Sequence, residues 1–114
     1  MFTKLAALVA LQLISFSLSA QVLSSNQVNI IARSIFIAEG GTNAAYLYGI
    51  RSEPYHGTAE ARQICKTSII NAYARWIKSG RREPFFLNMG RRYAPDDFTN
   101  WSRNVECWYW KLSK

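Results

Sequence analysis

The sequence predicts a small α+β protein, mostly helical, with four helices and one short β-hairpin after the first of them. Three observations carry this. Apolar residues recur at helical spacing in four stretches. Gly, Pro and Asn punctuate the chain between those stretches. One stretch, residues 42–52, alternates instead, with Tyr46, Tyr48 and Ile50 on one side and Leu47, Gly49 and Arg51 on the other, the pattern of a short hairpin.

Composition bounds the rest. The chain has 114 residues, 49% of them hydrophobic and 18% charged, which suits one folded domain and excludes a disordered chain. Six Gly, three Pro and two Cys exclude collagen-like and cysteine-dense scaffolds. Fourteen Lys and Arg against seven Asp and Glu give a net charge of +7, which favours anionic partners.

Residues 1–20 read as a secretory signal peptide. Lys4 supplies the positive start, Leu5 to Ile14 are apolar except Gln12, and Ser15 to Ala20 form a small, polar cleavage zone. The apolar run is short for a membrane span. Residues 21–114 are then the exported domain, periplasmic or extracellular, with an N-terminally membrane-tethered form as the alternative. Export directs the positive charge toward cell-wall polymers or an anionic membrane surface and away from nucleic acid.

The elements follow in order. Ser24, Ser25 and Asn26 are N-cap candidates for a helix over 26–39, with Val28, Ile31, Ile35 and Ala38 on its apolar side and Gly40 and Gly41 ending it. After the hairpin, Glu53 to Gly57 form a turn. Thr58 caps a helix over 58–79 whose stripe is Ala61, Cys65, Ile69, Ala72 and Trp76, with Gly80 as its stop. Pro84 opens a third helix through about Gly90, with Phe85, Phe86, Leu87 and Met89 as core filling. Residues 91–97 read as a loop. Thr99 or Asn100 caps the last helix, with Trp101, Val105, Trp108, Tyr109 and Leu112 on its apolar side and Trp110 off that stripe, free for an exposed contact.

Cys65 and Cys107 would meet an oxidising compartment after export. Either they form one disulfide across a long loop, or they are two separate buried thiols. His56 is the single histidine and stands in a turn, so no metal site or Cys–His pair is implied, and no cofactor.

Glu39 stands where helix formation alone would not put it. It occupies the last turn of the first helix, where the helix dipole disfavours a negative charge by about 0.3–1 kcal/mol. Its neighbours Ile35, Phe36, Ile37 and Ala38 are apolar. Both features disfavour the anion, the setting a general acid needs to protonate a glycosidic oxygen. The glycines that follow would let a sugar chain approach the backbone, and the tyrosines offer flat faces for sugar rings.

The stretch Ile35-Phe36-Ile37-Ala38-Glu39-Gly40-Gly41, followed by Tyr48-Gly49-Ile50, resembles the lysozyme-like superfamily. It is similar in particular to bacteriophage and bacterial muramidases and lytic transglycosylases. In that family a helix ends in Glu-Gly-Gly or Glu-Ser-Gly and a short β-segment with a Gly-Ile element follows. Arg92-Tyr93-Ala94-Pro95, with Asn100 and Val105 beyond, looks like a second element of small phage-related members. The likeness covers residues 26 to 105 in order and layout. It implies a lysozyme-like fold, peptidoglycan glycan strands as substrate, and Glu39 as the catalytic acid, then base. Thr42, Asn43, Tyr46, Tyr48 and Gly49 would line the cleft, with Tyr93 and Asn100 from the later loop, in a monomer. The segment between Glu39 and the Gly-Ile element is compressed relative to the family. That also fits a non-catalytic glycan-binding or assembly protein on the same frame.

The second carboxylate of a hydrolase has several candidates: Glu53, at the far end of the hairpin, or Asp96 and Asp97, which also read as a turn and cap pair. Lytic transglycosylases, by the same resemblance, use a single acid/base Glu and the substrate's own hydroxyl, leaving an anhydro product. The basic pairs Arg81-Arg82 and Arg91-Arg92 read either as solvated surface or as contacts to phosphates or stem-peptide carboxylates.

Overall fold

The computed structural model describes residues 22–114; the predicted signal segment lies outside the described residues. Four helices are present: α1 (Ser25–Ala38), α2 (Thr58–Lys78), α3 (Phe85–Tyr93) and α4 (Phe98–Leu112). Among the described residues there is no strand, so the protein is all-helical there and the α+β expectation is corrected.

Local chemistry explains the missing hairpin. Between α1 and α2 the chain forms two single-turn 3-10 segments, Gly41–Asn43 and Leu47–Gly49. The amides of Gly49 and Ile50 donate to the carbonyls of Tyr46 and Leu47, at 2.8 and 3.1 Å, so they are satisfied within the turn rather than across a ladder. Tyr48 and Gly49 both have positive φ, 57° and 70°, which breaks the extended backbone that the alternating pattern implied. The alternation instead buries Tyr48 and Ile50, with Tyr46 left exposed.

α1 begins with a capping box: Ser24 Oγ accepts from the Gln27 amide at 3.1 Å, and Gln27 Oε1 accepts from the Ser24 amide at 2.9 Å. It ends at Glu39, whose amide donates to the Ile35 carbonyl at 2.9 Å. Gly40, with φ 111°, then turns the chain sharply away. α2 buries Ala61, Cys65, Ile69 and Ala72 of the predicted stripe, and Trp76 at its end is half-buried.

α3 runs three residues past Gly90. Gly90 is not a stop: a Cβ there would lie 3.0 Å from the Phe98 carbonyl oxygen and 3.1 Å from the Trp101 ring. The glycine lets α3 and α4 approach closely, and the extra turn carries Tyr93 on a helix instead of a loop.

The core is built on α1, which packs against α2, α4 and the Leu47–Gly49 turn, while α3 packs on α4 and α2. Ile35, Ile69 and Val105 are fully enclosed, each contributing about 1.5–3 kcal/mol through burial. A second layer of rings, Tyr73, Trp76, Phe85, Phe86 and Tyr109, links α2, α3 and α4 at centroid separations of 5.3–5.6 Å.

The disulfide is not formed. Cys65 and Cys107 are both free, Cys65 buried in the α2 stripe and Cys107 exposed on α4. Helical geometry separates them: α4 turns its Trp101–Val105 face inward, and Cys107 falls on the opposite, solvent side.

Candidate functional site

The end of α1 places Glu39 half-buried at the head of an open groove of about 650 Å³. One wall comes from α1 and the Tyr46–Arg51 segment, the other from Tyr93 to Asp97 and the start of α4. Glu39 Oε2 accepts a hydrogen bond from Trp101 Nε1 at 3.0 Å. No described residue donates to Oε1, and no described lysine or arginine pairs with the carboxylate.

Gly49 makes room for the carboxylate. A Cβ at this position would lie 2.5 Å from Glu39 Oε2 and 2.7 Å from the carboxyl carbon. The left-handed φ of 70° and this close approach both require glycine.

Trp101 is itself held by stacking. Its ring lies 4.9 Å from that of Tyr93 at an interplanar angle of 16°. The Tyr93 hydroxyl donates to Cys65 Sγ at 3.6 Å. A continuous path thus runs from the α2 core through Tyr93 and Trp101 to Glu39. Burial pushes the Cys65 thiol up to about 12, against a lowering hydrogen bond from Tyr93 and with the charge of Glu39 adding to the rise. Burial, with Cys65 beside it, likewise raises the Tyr93 phenol, so both groups are neutral at ordinary pH.

The sequence-predicted residues divide. Glu39, Tyr46, Gly49, Tyr93 and Asn100 line the groove. Tyr46 is half exposed, with the Arg51 guanidinium 5.2 Å from its ring centroid. Asn100 Nδ2 donates to Asp97 Oδ1 at 2.9 Å, and its Oδ1 accepts from Arg103 at 3.0 Å. Thr42 and Asn43 are exposed in the first turn and lie outside the groove. Tyr48 is also outside it: its positive φ turns the side chain inward, where the ring packs 4.9 Å from Phe36 and the hydroxyl accepts from Arg62 Nε at 3.2 Å.

Asp96 and Asp97 both line the groove, whereas Glu53 lines a neighbouring cavity. Asp97 occupies the N-cap of α4 without its side chain capping the helix. Sequence reasoning missed Trp101, which it assigned to the helical stripe. The indole does belong to the core, and its N–H is the one polar atom it must satisfy; that need was the signal available.

Among the described residues no group of three or more His, Cys, Asp or Glu is placed to hold a metal, and no helix is long and apolar enough to cross a membrane. No family model, curated protein or solved structure matches the chain.

Proposed function

We propose that this protein cleaves the glycan strand of peptidoglycan, with Glu39 as general acid and then base. The observation that carries the reading is the Glu39 carboxyl itself. It is half-buried beside an open groove, oriented by an uncharged donor and free of any described cation, with one oxygen left to address a ligand. The Glu-Gly-Gly likeness to lysozyme-like glycan-cleaving enzymes supports the same role. So do the exposed face of Tyr46 for a sugar ring and the net charge of +7 for an anionic wall.

Glu39 gives its proton to the glycosidic oxygen as the bond to the anomeric carbon breaks. The carboxylate then takes the proton from the group that attacks that carbon. A single acid/base residue favours the substrate's own hydroxyl as attacker, leaving an anhydro end, the lytic transglycosylase route. Asp97 is engaged with Asn100, which leaves Asp96 as the groove carboxylate able to activate water on the muramidase route.

Turbidity of purified cell walls tests the reading. Wild-type protein clears them and Glu39→Gln, matched in helical content by circular dichroism, does not; equal rates for the two would remove the enzymatic role. The exclusion of Thr42 and Asn43 from the groove narrows its contacts on one side, which favours a second reading: a glycan-binding or assembly protein. In that case both proteins co-sediment with walls and neither clears them.

A further inference from the structure

A second compartment, of about 380 Å³, opens beside the Glu39 groove and shares Gly49, Arg51 and Tyr93 with it. Three arginines line it: Arg51, whose guanidinium lies over the Tyr46 ring, Arg75 from α2 and Arg92 from α3; the last two also line a smaller adjoining hollow. Their neighbour Arg91 is neutralised by Glu83, with Nε 3.0 and 3.1 Å from the two carboxylate oxygens. Arg75 and Arg92 have no such partner among the described residues. Glu53, the one carboxylate in the compartment, pairs with neither. Although Arg75 is exposed, partial desolvation first, and the charge of Arg92 second, make it a less comfortable cation than an ordinary arginine. Two unneutralised guanidinium groups facing one hollow are an arrangement that a bound anion relieves. Ile64, Ala72 and Met89 give the compartment an apolar floor, beside Ser68 and Asn71 as hydrogen-bonding groups.

We propose that Arg75 and Arg92 hold a carboxylate of the peptide stem carried by the glycan strand while the sugar occupies the Glu39 groove. This rests on the glycan reading of that groove. The shared wall is the reason for choosing a stem: a ligand filling both spaces is a chain with a branch, and the apolar floor suits short aliphatic side chains between the branch point and the acid. A wall-polymer phosphate would satisfy the arginines but has no use for that floor.

The test is calorimetric binding of a purified disaccharide-peptide muropeptide, the same disaccharide with its stem removed by an amidase, and glycerol phosphate. The proteins are full-length wild type, Glu39→Gln and Arg75→Gln/Arg92→Gln, in which exposed side chains are changed. Wild type and Glu39→Gln bind the stem-bearing muropeptide about tenfold more tightly than the bare disaccharide, and the double arginine variant binds the two alike. Equal binding of both sugars by wild type, or a preference that survives in the double variant, overturns the proposal. So does tighter binding of glycerol phosphate than of muropeptide, which would assign the arginines to a phosphate. Wall clearance separates the two claims. Clearance without stem preference removes the stem site and leaves the cleavage reading. Stem preference in the absence of clearance supports the site and removes the cleavage.

Discussion

Trp101 Nε1 donates to Glu39 Oε2 at 3.0 Å, joining the first turn of α4 to the end of α1 across 62 positions of sequence. The bond satisfies a buried indole and holds the carboxyl in one orientation. It therefore couples core packing to the chemistry assigned to the groove.

Trp101→Phe keeps a ring against Tyr93 and removes the donor. The donor fixes which way the carboxyl points, and misplacing a reacting group by about an ångström costs up to about a hundredfold, so kcat on soluble glycan is expected to fall about tenfold to a hundredfold. KM should change little, because the phenyl ring keeps the wall that Trp101 presents to the groove. A shift confined to KM, or an unchanged kcat, would refute the positioning role.

Gly49→Ala sets a methyl group where the Glu39 carboxyl now lies. A left-handed non-glycine residue costs about 1–2 kcal/mol in stability. Displacing the acid by about an ångström costs roughly a hundredfold in rate. The expected result is a modestly lowered melting temperature with a large loss of wall clearance. Retained clearance would show that the carboxyl has room to move.

The two thiols should react differently. Cys107 is exposed, while Cys65 is buried and pushed up to about 12. Native protein at pH 7.5 is expected to react at one thiol with a neutral disulfide reagent, and at both after denaturation, the nucleophile being the thiolate. Two unreactive cysteines in the denatured, unreduced chain would instead indicate a bridge.

Glu83 makes the acid side of the stability profile testable. Hydrogen bonds from Arg91 and then Asn88 hold its carboxyl below the ordinary 4.5. Its contribution is fully present above pH 4.5 and is lost as the pH falls through the lower folded-state value. Thermal unfolding of Glu83→Gln is therefore expected to lose less stability between neutral pH and pH 3 than wild type does. Parallel acid limbs would mean the contacts leave the titration of Glu83 unchanged.

The helices were legible because their apolar periodicity reports burial directly: Ala61, Cys65, Ile69 and Ala72 of the α2 stripe are buried as their spacing implies, and Glu39 sits at the helix end where the glycines put it. The failures have a common cause. At Tyr46–Ile50 alternation suggested a strand, but strand pairing is a tertiary property, and two successive positive φ values convert that pattern into a turn. The third helix is expected to end at about Gly90, because sequence does not distinguish a glycine that ends a helix from one that admits a neighbour. The same blindness hid Trp101, whose role depends on a residue in another helix, and the pairing of Arg75 with Arg92 across α2 and α3.

The most direct measurement is mass spectrometry of the soluble fragments released from purified peptidoglycan by wild type and by Glu39→Gln. Anhydro-ended muropeptides from wild type, and none from the variant at equal folded concentration, are the result expected. Intact strands after treatment with wild type, or the same fragments from both proteins, would contradict the assignment of Glu39 as the acid.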